Sequence, residues 1–184
     1  MSEFKFHTLE SAPEAAKPLL HAVKEKMGFV PNLYLGLADA PAALEAYLTL
    51  SDIITRTSFS AQEQQILMLA VSVENACLYC VAAHSSGARM FKVDKAVIEA
   101  IRSDQVIEDP NLEALRKFAQ CVVVERGFVG SELESFLSAG YTRSQVLEVI
   151  MVVAMKTLSN YANHLLETPV DEILARMTWE GRSS

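Results

Sequence analysis

Two of the three cysteines in this 184-residue chain, Cys77 and Cys80, stand three positions apart in the stretch ENACLYCVAAHS. Glu74 lies three residues before the first and His84 four residues after the second. Three readings compete. Two thiols and an imidazole can hold zinc, but zinc wants a fourth ligand. Glu74, Cys121 and His164 are candidates for it, and none brings a second ligand pair at the usual spacing. The pair can instead form a reversible disulfide, or simply fill a helix as small apolar residues. On an uninterrupted helix Cys77, Cys80, His84 and Glu74 share an arc of ~120°, and the cysteine Cα atoms lie ~5–6 Å apart. That separation suits a disulfide. The reactive form is the thiolate, which a neighbouring base or a helix N-terminus favours. A peroxide converts it to a sulfenic acid, and a second cysteine at this distance condenses with it. If Asn75 breaks the helix and caps a new one, both cysteines fall in a first turn, where the helix dipole favours a thiolate.

Other polar residues invite weaker readings. Asn160, Asn163 and His164 form a polar group late in a very apolar helix, VLEVIMVVAMKTLSNYANHLLET. They are either solvated groups near a helix end or a wall of the cysteine pocket, from the same or a neighbouring subunit. Cys121, inside KFAQCVVVERG, reads as core. Tyr79 points away from the cysteines on a helix and reads as packing. Glu63 follows Ser60 by three and is explained by a capping box.

The elements that must position these residues all read as helices. Pro13 and Glu14 open a first one to about Met27, with Ala16, Leu19, Leu20, Val23 and Met27 at helical spacing. Pro31 breaks the chain by biasing Val30 away from the helical region. Asn32 caps a short helix, and Pro41 sits in the first turn of the next. The segment after Ser60 is apolar from Ile66 to Val73 and is expected to be buried on most sides. Asp94 caps KAVIEAIRS; Pro110 starts and Gly127 ends a further helix; a short one precedes Gly140. The long helix after Thr142 halts at Pro169, and a terminal helix starts near Val170. The sum is an all-α single domain over residues 1–184, with eight to ten helices and no strand. Few Gly (7) and Pro (6) agree with this.

Composition removes several function classes. The net charge of −7 with no Lys/Arg cluster leaves no basic patch for nucleic acid or an anionic membrane. No apolar run approaches the ~18 residues of a membrane span, and the first residues show no signal-peptide apolar stretch. A cytoplasmic protein is expected, where a close cysteine pair is redox-active or metal-binding more often than structural.

The pattern Glu-x-x-Cys-x-x-Cys-x-x-x-His at Glu74, Cys77, Cys80 and His84 resembles the active-site segment of the carboxymuconolactone decarboxylase/alkylhydroperoxidase D (AhpD)-like superfamily, in particular its peroxidase-related branch. GFVPNLYLGLADAPAALEAYLTL and AGYTRSQVLEVIMVVAMKTLSNYANHLLETPVDE are similar to that branch too, so the resemblance runs over residues 28–172. It implies an AhpD-like helical fold, usually a trimer or hexamer. It implies hydroperoxide reduction through a dithiol/disulfide cycle, with no metal or other cofactor beyond the Cys77–Cys80 disulfide. Cys80 would attack, Cys77 resolve and His84 relay protons. A lipoylated or thioredoxin-like protein would restore the thiols. Two positions depart from the family. The carboxylate expected twelve residues before the first cysteine is Gln65, which cannot ionise, leaving Glu74 to take its place. The family's Asn-Gly-Cys is Asn75-Ala76-Cys77, so no glycine-requiring turn is expected there. The alternatives are a general thiol–disulfide oxidoreductase or redox sensor, and the lactone decarboxylation of the other branch, which does not call for a cysteine pair.

Overall fold

Every residue of the helix Ala61–Glu74 between Ile66 and Val73 is buried, and the fold is built round that rod. The computed structural model describes residues 4–182. The helices, in order, are α1 (Lys17–Met27), α2 (Asn32–Leu37), α3 (Pro41–Ile54), α4 (Ala61–Glu74), α5 (Leu78–Met90), α6 (Lys95–Arg102), α7 (Pro110–Val124), α8 (Glu132–Ser138) and α9 (Arg143–Leu166). A 3-10 helix, Glu172–Met177, follows, and no strand occurs among the described residues. Helix α4 packs against α5, α6, α7 and α9, while α9 also covers α2 and α3. A side chain such as Leu67, fully enclosed here, is worth about 2–5 kcal/mol against alanine at such a site.

Local chemistry explains most boundaries. Ser60 accepts from the Glu63 amide while Glu63 accepts from the Ser60 amide, and Thr142 and Gln145 repeat that box at the start of α9. Asp94 and Asp109 cap α6 and α7.

Three boundaries differ from expectation. Helix α1 begins at Lys17, not Pro13. A start at Pro13 would put Pro18 inside the helix, where its ring and missing N–H are not tolerated; starting at Lys17 keeps it in the first turn. Asn32 does not cap α2. Its backbone N–H is capped from afar by Asp171 Oδ1 (3.1 Å), and its side chain donates to the Pro169 carbonyl. The terminal helix is a 3-10 turn starting at Glu172.

Helix α9 has two apolar faces. Val149, Val152 and Met155 point into the core, while Leu147, Ile150, Tyr161 and Leu165 lie exposed along the other side. No helix among the described residues is long and apolar enough to cross a membrane.

Candidate active site

The chain breaks between Glu74 and Leu78, and the break sets the site. Helix α4 ends in a Schellman motif: the Ala76 N–H bonds Val73 O (3.0 Å) and the Cys77 N–H bonds Ser72 O (2.9 Å). Ala76 sits at φ +51°, the left-handed position that glycine usually fills. The expectation of no such turn is therefore corrected: the turn forms and alanine carries its strain. The cap of the new helix is Cys77 itself, not Asn75. Cys80 lies in the first turn of α5 with free backbone N–H groups about it.

Both sulfurs are buried and present as free thiols, Cys77 at 0% and Cys80 at 2% exposure. Helix α9 supplies the wall. Asn163 Nδ2 donates to Cys80 Sγ at 3.1 Å and is 3.8 Å from Cys77 Sγ. Asn160 Oδ1 accepts from Asn75 Nδ2 at 3.0 Å and so ties α9 to the turn. Lys156 is fully buried beside them, and its Nζ donates to His84 Nε2 at 2.8 Å. The far ring nitrogen, His84 Nδ1, donates to Gln65 Oε1 at 3.3 Å. With an ammonium at one nitrogen and a carbonyl oxygen at the other, the ring holds its single proton on Nδ1. Gln65 reaches in over Gly87, where a methyl group would lie 2.5 Å from Oε1.

The electrostatics separate the two cysteines. Burial pushes the Cys80 thiol up, but the Cys77 hydrogen bond, the Lys156 charge and hydrogen bond, and the Asn160 amide together bring it well below the ordinary thiol value. Cys77 moves the other way, because it donates a hydrogen bond to Cys80 and because it is buried. Burial first, and the Lys156 charge second, hold the His84 imidazole well below its ordinary value and keep it neutral. The arrangement favours the thiolate at Cys80 and the thiol at Cys77, with the Lys156 side chain enclosed beside them. One buried polar atom in this wall, Asn163 Oδ1, has no hydrogen-bond partner among the described residues.

Not every residue singled out in the sequence is here. Glu74 ends α4 on the other side of the break and is bound by Arg182 and by Gln120 Nε2 (3.2 Å); it makes no hydrogen bond to His84 or either cysteine. An unbroken helix would have aligned it with the cysteines; the turn at Ala76 removes it. His164 is exposed with its ring against Tyr161, so it does not line the cysteine pocket of its own chain. Cys121 is only half-buried, its sulfur 3.8 Å from the Val129 carbonyl. Tyr79 does pack as expected, and its hydroxyl also donates to Asp171 Oδ2 at 2.6 Å. Among the described residues no three His, Cys, Asp or Glu side chains lie close enough to hold a metal.

Lys156 was not singled out, although a signal existed. It is the only charge in VIMVVAMKTLSN, and it shares a face with Asn160 and Asn163 at i, i+4 and i+7.

The all-α fold is shared with solved structures of AhpD-core and peroxidase-related proteins. A peroxidase-related protein from Ralstonia eutropha JMP134, described as an alkylhydroperoxidase AhpD core, superposes with a TM-score of 0.84 at 24% identity, covering 96% of this chain and 95% of that one. A peroxidase-related protein from Silicibacter sp. TM1040 superposes at 0.79 with 17% identity, covering 94% and 92%. A variant of the debrominase Bmp8 bound to 2,3,4-tribromopyrrole superposes at 0.80 with 15% identity, covering 96% of each chain. Residues 41–121 match the carboxymuconolactone decarboxylase family. Over residues 41–121 the chain is thus similar to the carboxymuconolactone decarboxylase family, and it shares its fold with the AhpD-core neighbour. No curated protein matches it.

Proposed function

We propose that the protein reduces hydroperoxides through its cysteine pair. The observation that carries this reading is the buried, unbridged Cys77–Cys80 pair at the start of α5, with Asn163 Nδ2 3.1 Å from Cys80 Sγ and the enclosed Lys156 beside it. The Cys80 thiolate attacks the distal peroxide oxygen, the O–O bond breaks, and the departing alkoxide takes a proton. Cys80 is now a sulfenic acid. Cys77 attacks its sulfur, water leaves, and the disulfide closes. A protein dithiol of the lipoylated or thioredoxin-like kind then returns two electrons and two protons. The names of the Ralstonia and Silicibacter neighbours agree with this reading.

Burial of Cys80 favours a small oxidant over a bulky protein disulfide as the first reactant. Against a general thiol–disulfide oxidoreductase, this predicts faster reaction with hydroperoxide than with a protein disulfide on the same reduced sample. One equivalent of hydroperoxide should remove two titratable thiols and leave a Cys77–Cys80 bond in the peptide map. Cys80→Ser should abolish the loss, whereas Cys121→Ser should leave it intact. Unchanged thiol counts in the wild-type protein would sink the reading. We also propose that a second copy of the chain covers the outer face of α9, whose exposed Leu147, Ile150, Tyr161 and Leu165 form a lengthwise apolar stripe.

A further inference from the structure

The site contains a positive charge whose partner the reaction would erase. Lys156 is fully enclosed, and among the described residues no carboxylate pairs with it. Its neighbours can be taken element by element. From α5 come Cys80, His84 and, at the cap, Cys77; from α4 comes only the Gln65 amide, beyond the imidazole. Beyond Cys80, from α2 and α3, lie the Tyr34 and Tyr47 phenols, which burial keeps protonated and which therefore add no negative charge. The thiolate is thus the one anion that faces the ammonium, and it disappears when the disulfide forms. A buried charge left without a counter-charge is strongly disfavoured.

We infer that Lys156 is the acid of this reaction, giving its proton to the alkoxide as the O–O bond breaks, with neutral His84 Nε2 holding the ammonium in place. The balance is closed. Cys80–S⁻, ROOH and Lys156–NH₃⁺ become Cys80–SOH, ROH and Lys156–NH₂. The sulfenic acid and the Cys77 thiol then give the disulfide and water. Reduction by a dithiol returns one proton to Cys77 and one to Lys156, with the electron pair left on Cys80 as the thiolate. The site is electrically neutral before and after, and no buried charge is stranded. His84 becomes a positioning residue rather than the relay that the resemblance implies.

The inference rests on the cysteine pair being redox-active, so its test avoids peroxide. Reduced protein is oxidised with diamide at pH 7 in weak buffer containing a pH indicator, while absorbance at 240 nm reports the thiolate. Expected is the loss of one thiolate per chain with no net proton taken from solvent. Uptake of one proton per disulfide would overturn the inference, because Lys156 would have kept its charge. Absence of a thiolate at pH 7, or no oxidation by diamide, would overturn it too. Inertness to hydroperoxide with a proton-neutral diamide reaction would overturn the peroxidase reading and the alkoxide step with it, while Lys156 would still be the group that gives up its proton as the thiolate is consumed. Lys156→Arg keeps the charge but cannot surrender its proton. It should retain the 240 nm absorbance, take up one proton per disulfide, and lose on the order of a hundredfold in peroxide rate. A Lys156→Arg protein with wild-type rate and proton count would count against the inference; if it does not fold, the wild-type count decides alone.

Discussion

At the scale of single residues, one helix break decides which polar groups meet. The Cys-x-x-Cys-x-x-x-His spacing was legible because cysteine and histidine are chemically distinctive at any position. Glu74 looked equally placed only while the helix was imagined as continuous. It now serves Arg182 and Gln120, so Glu74→Gln should leave the 240 nm thiolate signal unchanged within error. A loss of that signal would return Glu74 to the site. His84 gives a signed pH prediction. Burial and Lys156 oppose its protonation, so its imidazole NMR resonances should not titrate through the ordinary range near pH 6.5. In the unfolded chain the ring does bind a proton there. Acidification through that range therefore costs stability. A midpoint at or above the ordinary value would contradict the ammonium contact. Lys156 escaped notice because a lysine in a helix is usually a solvated charge; only the packing of α9 on α4 and α5 shows it enclosed.

At the scale of elements, the Ser60–Glu63 box, the Asp94 cap and the first-turn prolines Pro41 and Pro110 placed their helix starts from sequence. The failure at α2 involved a distant partner. Asp171 caps α2 and holds the Tyr79 hydroxyl across long stretches of chain, and no local pattern announces that. The turn between α4 and α5 was misjudged because alanine occupies a left-handed position at a cost of about 1–2 kcal/mol. Ala76→Gly should therefore raise stability by roughly 0.5–1 kcal/mol, part of the relief being spent on the freer unfolded chain. Ala76→Val should lower it by more than 1 kcal/mol, since a β-branched side chain fits that conformation worst. Urea midpoints of the two variants check both signs. A destabilising glycine would mean that the alanine methyl makes a contact worth more than the strain.

At the scale of the whole molecule, the all-α architecture followed from helical periodicity and scarce turn residues. What periodicity could not assign was the destination of the second apolar face of α9, because it reports that a face is apolar and not what covers it. A helix of this length with Leu147 at 67% and Leu165 at 71% exposure leaves unsatisfied surface on a lone chain. Leu147→Glu combined with Leu165→Glu should lower the assembled mass seen by light scattering, while the far-ultraviolet circular dichroism stays that of the wild type. A wild-type protein already monomeric at micromolar concentration would remove the second-copy proposal.

Gly87 carries a consequence for descent. Any side chain there would strike the Gln65 amide and pull it off the imidazole, so positions 65 and 87 behave as one heritable unit. A lineage that fills position 87 first loses its grip on His84 before it can gain anything at 65. A lineage that shortens residue 65 first frees position 87 to vary. The order of the two changes therefore matters in this chain.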